Sequence, residues 1–385
     1  MPLTSRLTLA GALCAAALPG LALANPPAAD THWQSCTRLT DGQARLACFD
    51  QWAGAASQTG PGQPASAWAT APLAKPQPAS STASSTGSPP PVEIVIADGC
   101  RDSQYSTLSR FWELEDATDC GNLRFRGYRP MSVSVVGANH VNRSPQSENP
   151  SNSASNSVDY RRSEMRVQLS VRTKLASGLL PAPRAGLRDS LWAGYTQQSY
   201  WQLFSPQISR PFRNTDHEPE LIYVYPTDAA LPLGWRWRYT GLGLVHQSNG
   251  QSDPLSRSWN RAYLMTGLEL DDRISLTARL WKRLHESPQS DNNPAISHYL
   301  GRAEWSLGWN LHPDHRLSLT ARHALAGSGR GSLRLDWLQA LGTQWAGPRT
   351  NLRLHTQLFS GYGDSLVDYN RKRTVFSLGL SLVDF

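Results

Sequence analysis

Residues 164–174 read EMRVQLSVRTK, and the order of polarity within them decides the fold class. Met165, Val167, Leu169 and Val171 fall on one parity; Glu164, Arg166, Gln168, Ser170 and Arg172 fall on the other. Side chains alternate sides along an extended strand, so one face is apolar and the opposite face is charged. The pattern recurs in RISLTARL (273–280), where Ile274, Leu276, Ala278 and Leu280 oppose Arg273, Ser275, Thr277 and Arg279. In YLGRAEWSLGWNL (299–311), Tyr299, Ala303, Trp305, Leu307, Trp309 and Leu311 oppose Arg302, Glu304, Ser306 and Asn310. Shorter segments around Leu317, Leu333 and Leu352 continue it, for about twelve candidate strands.

The charged face chooses the architecture. A soluble sandwich buries its apolar face between two sheets and wets the other. A transmembrane antiparallel β-barrel turns the apolar face to lipid and packs Arg, Glu, Gln and Asn into its interior. Strands of about ten residues, Trp and Tyr near strand ends and a terminal Phe385 favour the barrel, so the chain is expected to be all-β. Closure leaves no strand edge unpaired in hydrocarbon. A mean hydropathy of −0.43 does not oppose this, because alternating strands escape a hydropathy window. Phe385 has the opposite parity to Leu378, Leu380 and Leu382, which predicts a bulge or an irregular end.

Ahead of the barrel, composition divides the chain. Arg6, the apolar stretch LTLAGALCAAALPGLALA and the Ala22-Leu23-Ala24 site predict a signal peptide over 1–24, hence export. Cys14 suggests a lipoprotein leader, but the preceding Leu13 is bulky for that processing. Residues 25–52 form a small Cys-bearing segment, and 53–93 are an Ala/Ser/Pro/Gly-rich linker too poor in apolar surface to fold. A second Cys-bearing segment, 94–128, precedes the barrel at 129–385; the extension is expected in the periplasm. The polar stretch 142–164 reads as a long exposed loop.

Without the leader four cysteines remain, and an even number in an exported chain favours disulfides. Cys36–Cys48 and Cys100–Cys120 are the most economical pairs; two other pairings are open. No Cys-x-x-Cys spacing supports zinc. A net charge of +7 suits anionic lipid headgroups or solubility, and no basic cluster argues for nucleic acid.

One stretch carries chemistry, GLVHQSNGQSDPLSRSWNR (243–261). Leu242, Leu244, His246 and Ser248 share a strand face; Asn260 shares the face of Ala262, Leu264, Leu268 and Leu270. With 249–257 as the connecting loop, an antiparallel pair brings Asn260 beside His246. Arg236 and Arg238 have the same parity, and their distance from Ser248 assigns them to the opposite membrane interface, where arginine snorkels. A serine hydroxyl becomes a nucleophile once an imidazole takes its proton, and the imidazole needs a partner on its other nitrogen. Asn260 supplies that partner without bringing formal charge to hydrocarbon.

The segment HQSNGQSDPLSRSWNR (246–261) resembles the signature of the outer-membrane phospholipase A family, as do YTQQSYWQL, SRPFRNTDHEPEL, DNNP and SGYGDSLVDYN in order. The resemblance covers residues from about 129 to 385. It implies a twelve-stranded barrel that hydrolyses phospholipid acyl esters with phospholipase A1 and A2 activity, as a calcium-loaded homodimer. Ser248 is then the nucleophile, His246 the base, Asn260 its orienting partner and Gly250 an oxyanion donor. Calcium would take the Ser256 hydroxyl, the Gln251 carbonyl and a carbonyl of Ser209 from the second copy. The family carries arginine at the position of Gln251. A further family calcium site would use Asp253, but Asn292 stands where the family has aspartate. Gln197 matches a polar residue of the dimer interface. The competing readings are a non-enzymatic barrel, pore or adhesin, and a soluble periplasmic hydrolase. Crowded interior charge opposes a wide pore, and the alternating faces oppose a soluble protein.

Overall fold

The computed structural model describes residues 36, 39–56, 99–327, 329–342 and 351–382. The expectations for the leader, for nearly all of the linker and for Phe385 lie outside these residues. The chain divides into two compact units, Met1–Pro90 and Pro91–Phe385. In the first, helix α1 (Gly42–Ala56) begins where Asp41 Oδ2 accepts from the Ala44 N–H at 2.8 Å, and Cys36 is joined to Cys48.

The second unit is a closed antiparallel barrel. Its strands are β1 (Phe125–Gly127), β2 (Met131–Ala138), β3 (Ser163–Ser177), β4 (Ser190–Trp201) and β5 (Phe212–Ala230). Then come β6 (Trp235–Ser248), β7 (Ser258–Leu270), β8 (Ile274–Arg283) and β9 (Ala303–His312). The last are β10 (His315–His323), β11 (Gly331–Ala340), β12 (Leu352–Gly361) and β13 (Arg373–Leu382). Strands β2 to β13 pair in succession, and β13 pairs back onto β2, which closes a twelve-stranded ring. The short β1 is additional. It takes the Val171–Thr173 end of β3, beyond the Ser163–Gln168 stretch that pairs with β2.

Parity sorts the two faces as the sequence predicts. Leu242, Leu244, Leu264, Trp305, Leu307, Leu335, Phe376 and Leu378 are exposed on the outer wall, Leu242 by 58%. A continuous apolar wall of this kind has hydrocarbon as its solvent. Inside, Arg213 donates to Glu164 at 2.9 Å and to Asp368 at 2.8 Å, and Arg373 joins the same carboxylates. Farther along the lumen Arg129 binds Glu218 at 2.6 Å and Glu220 at 3.1 Å. These buried charges are set beside opposite charges, as burial demands.

Two inward glycines make room for aromatic rings across the sheet. A Cβ at Gly243 would lie 2.1 Å from Tyr263 Cζ, and one at Gly267 2.2 Å from Tyr239 Cε1. The rings therefore lie against bare backbone. They meet helix α2 (Thr107–Trp112), capped by Ser106 and ended by Glu113 in the left-handed region. Trp112 stands edge-on to Trp192 and Tyr239, and the Leu108 N–H donates to Glu269 at 2.6 Å. Residues 99–128, with the Cys100–Cys120 disulfide, pack into one end of the lumen. A cavity of about 260 Å³ lies beside them, between Phe111, Trp112, Arg279 and Arg316.

Three local expectations are corrected. Arg238 does not snorkel: the β6–β7 register shifts between Trp237 and Tyr239. That bulge turns Arg238 inward, onto Asp228, Glu115 and Glu269, while Arg236 stays exposed and pairs with Asp228. Tyr299 is not on a strand but closes the short helix α3 (Ile296–Tyr299). The 142–164 stretch is a loop up to Arg162, yet Asn142 and Asn152 within it are buried.

The ends of the barrel differ. Connections 139–162, 249–257, 284–302 and 362–372 at one end are long; at the other, 231–234, 271–273 and 313–314 are tight turns, and 178–189 is long. The candidate site stands at the long-loop end.

Candidate active site

Strands β6 and β7 pair with His246 opposite Asn260 and Ser248 opposite Ser258. Directly opposed residues point to the same side of a sheet. His246 therefore lies on the wall of Leu242 and Leu244, with the imidazole exposed. His246 Nδ1 and Asn260 Oδ1 are 2.8 Å apart. Ser248 is two residues farther along the same face, partly exposed. The histidine–asparagine bond is thus formed, and no hydrogen bond joins Ser248 to His246 within the described residues. Nucleophile–base contacts often tighten only with substrate in place.

Loop 249–257 is held as a unit. Asn249 spans its neck: Oδ1 accepts from the Arg257 N–H at 2.9 Å and Nδ2 donates to the Leu255 carbonyl at 2.8 Å. The buried Arg257 guanidinium donates to the carbonyls of Ser256 at 2.7 Å and Asn152 at 2.8 Å. Burial pulls that guanidinium below its usual range. Gly250 sits at φ +61°, a conformation glycine adopts without strain, and its N–H donates no hydrogen bond within the described residues.

The other predicted residues scatter around this core. The Gln251 side chain turns to the rim, donating to the Arg213 carbonyl at 3.3 Å. Ser256 Oγ accepts from Asn292 Nδ2 at 3.0 Å, and Asn292 Oδ1 accepts from the Ser258 N–H at 2.9 Å. Asp253 Oδ1 accepts from Asn152 Nδ2 at 2.6 Å. Asn292 thus ties two loop strands together, whereas Asp253 is occupied by the 139–162 loop. Ser209 lies in the 202–211 connection at φ +61°. Gln197 is opposite His217, on the outer wall, where it accepts from Tyr195 Oη at 3.1 Å and donates to Ser199 Oγ at 3.2 Å.

Two neighbours escaped sequence reasoning. His217 stands opposite Ser248 in the β5–β6 register, with Nδ1 2.8 Å from Tyr195 Oη. Its outward parity with Leu221 on β5 was a usable signal. Glu286 accepts from Asn260 Nδ2 at 3.3 Å. It lies in a loop, where no periodicity could point to it.

The fold and the site define a membrane-embedded barrel that carries serine, histidine and asparagine on its lipid-facing wall. A family model described as Phospholipase A1 matches residues 108–382. A relative from Neisseria meningitidis serogroup B is 32% identical over 364 residues, 91% of this chain and 90% of its own length. Outer membrane phospholipase A from Escherichia coli superposes with a TM-score of 0.57 at 32% identity, over 68% of this chain and 94% of that one. The outer membrane phospholipase of Salmonella typhi, solved as a dimer with bound calcium, gives 0.57 at 30% identity, over 68% and 93%. The chain belongs to the phospholipase A1 family, the outer-membrane phospholipases.

Proposed function

We propose that the chain hydrolyses acyl esters of phospholipids with Ser248 as nucleophile, His246 as general base and Asn260 as its orienting partner. The observation that carries this is the 2.8 Å His246–Asn260 bond on the outer wall, two residues from Ser248 on the same face. Ser248 Oγ attacks the ester carbonyl and its proton passes to His246 Nε2, while Asn260 Oδ1 accepts the Nδ1–H. The oxyanion accepts from the Gly250 N–H. Collapse returns the proton to the departing lysophospholipid alcohol, and water then cleaves the acyl-serine by the same relay. Nothing in the relay distinguishes the two glycerol ester positions, so both A1 and A2 cleavage are expected.

Ser256 Oγ and the carbonyls of Gln251 and Ser209 are hard oxygen donors of the kind calcium selects. Asn292 Nδ2 donates to Ser256 Oγ and leaves that oxygen a lone pair, and the Gln251 side chain faces the rim, so the set fits the ion. Among the described residues no group of three or more His, Cys, Asp or Glu offers an alternative site. A bound calcium would add positive charge next to the oxyanion. A second copy of the chain would cover the same wall at Gln197 and supply Ser209. Short turns face the periplasm in such barrels, and the turns 231–234, 271–273 and 313–314 at the end opposite the triad support a triad at the outer leaflet and an N-terminal extension in the periplasm. Lipid then reaches Ser248 within the membrane plane.

The test is hydrolysis of a phospholipid in detergent micelles, with calcium and then with chelator. Activity lost with chelator and lost in Ser248→Ala, with the barrel still heat-modifiable, is expected. Retained hydrolysis in Ser248→Ala would reject the nucleophile.

A further inference from the structure

Asn260 differs from an aspartate in having two unlike ends. With Oδ1 toward His246 Nδ1, the ring carries its proton on Nδ1 and offers the Nε2 lone pair to Ser248. With the amide turned over, Nδ2 would face Nδ1, the proton would have to sit on Nε2, and the ring could take nothing from serine. A neutral partner thus works in one orientation only.

The 284–302 connection supplies a selector. Glu286 Oε1 accepts from Asn260 Nδ2 at 3.3 Å, and the Leu284 N–H donates to the Asn260 carbonyl at 2.8 Å. A carboxylate accepts and cannot donate, so a turned amide would set Oδ1 against Oε1. Glu286 is itself fixed: Arg283 Nη2 reaches Oε2 at 3.1 Å and Asp291 Oδ1 at 2.7 Å. Arg283 Nη1 donates to the Asn293 and Pro294 carbonyls, both at 3.2 Å. The Glu286 side chain is only 17% exposed and that of Arg283 14%. We infer that Glu286 is a positioning residue that fixes the Asn260 amide, and through it the productive tautomer of His246. This rests on the Ser248–His246–Asn260 assignment.

The experiment measures kcat and KM on a phospholipid in micelles for Glu286→Ala and Glu286→Gln, each in wild-type, Asn260→Ala and Asn260→Asp backgrounds. Heat-modifiable migration verifies folding, and Glu286→Gln carries the comparison if Glu286→Ala does not fold. In the wild-type background Glu286→Ala lowers kcat about tenfold with KM unchanged, and Glu286→Gln, which keeps an acceptor, restores part of it. Without an amide to orient, Asn260→Ala makes the Glu286 substitutions neutral. In Asn260→Asp the sign reverses, because Glu286 then opposes another carboxylate and removing it raises kcat. Equal losses in the wild-type and Asn260→Ala backgrounds would reduce Glu286 to a loop support and overturn the inference. A loss in the Asn260→Asp background would overturn it too. Hydrolysis surviving Ser248→Ala overturns the triad first, so the two failures are distinguishable.

Discussion

Asn260→Ala is the substitution whose size the structure sets best. It removes the 2.8 Å bond to His246, between two uncharged groups, together with the 3.3 Å donation to Glu286, and leaves His246 fixed to the same strand position. In the resting enzyme such a bond contributes about 0.5–1.5 kcal/mol. The imidazole becomes cationic in the transition state, where a bond to a charged group contributes about 1.5–3 kcal/mol. Only the stabilisation gained between the two states, about 1–1.5 kcal/mol, counts toward kcat. At about 1.4 kcal/mol per factor of ten, kcat should fall about 5- to 10-fold. KM should hold, since Asn260 faces the base rather than the lipid. Steady-state hydrolysis of a phospholipid in micelles measures both, beside Ser248→Ala, which should lose all serine-dependent turnover. A loss as deep as that of Ser248→Ala, or none at all, would refute the assignment of Asn260 as an orienting partner.

Other perturbations test the fold. Leu242→Arg places a charge on the lipid face mid-strand and should cost about 2–4 kcal/mol by urea unfolding in vesicles, whereas Leu382→Arg at a strand end should cost about 0–1. Equal costs would contradict the assigned depths. Gly243→Ala forces Tyr263 off its 2.8 Å bond to Glu220 and should cost about 1–3 kcal/mol, a cost that disappears in a Tyr263→Ala background. Burial pushes the Asp368 carboxyl up, but Arg213 and Arg373 outweigh it and hold it at about 2. A carboxyl depressed on folding gives stability above its unfolded value near pH 4 and loses it as pH falls through about 2. Unfolding of Asp368→Asn followed between pH 5 and 2 should therefore show a flatter acid dependence than wild type.

What could be read from the sequence is what repeats. Alternation along 164–174 and 273–280 identified the lipid face, the ring of strands and the outward parity of His246, because period two is imposed on every residue of a strand. What stayed hidden depends on single insertions or on distant partners. The bulge at Arg238 breaks parity with one residue, so its arginine looked outward. Asn152 looked like solvent-exposed loop, yet its carbonyl accepts from Arg257 and its amide binds Asp253. Helix α2 is too short to show an apolar stripe, and its fit depends on Trp192 and Tyr239, far along the chain. Glu286 was invisible for the same reason.

The position of charge around the triad follows from its solvent. A carboxylate directly behind His246 would lie on the wall that faces hydrocarbon, where desolvation opposes ionisation. Here the carboxylate stands one amide farther back, on Glu286, with Arg283 beside it and most of its surface covered. Its charge is then balanced inside the loop layer rather than exposed to lipid. The neutral Asn260 can still present a polarised oxygen to the imidazole, because its other end donates to that carboxylate. On the proposed assignment, charge removed to the loops and orientation passed through an amide together let a serine nucleophile operate on the outside of a barrel.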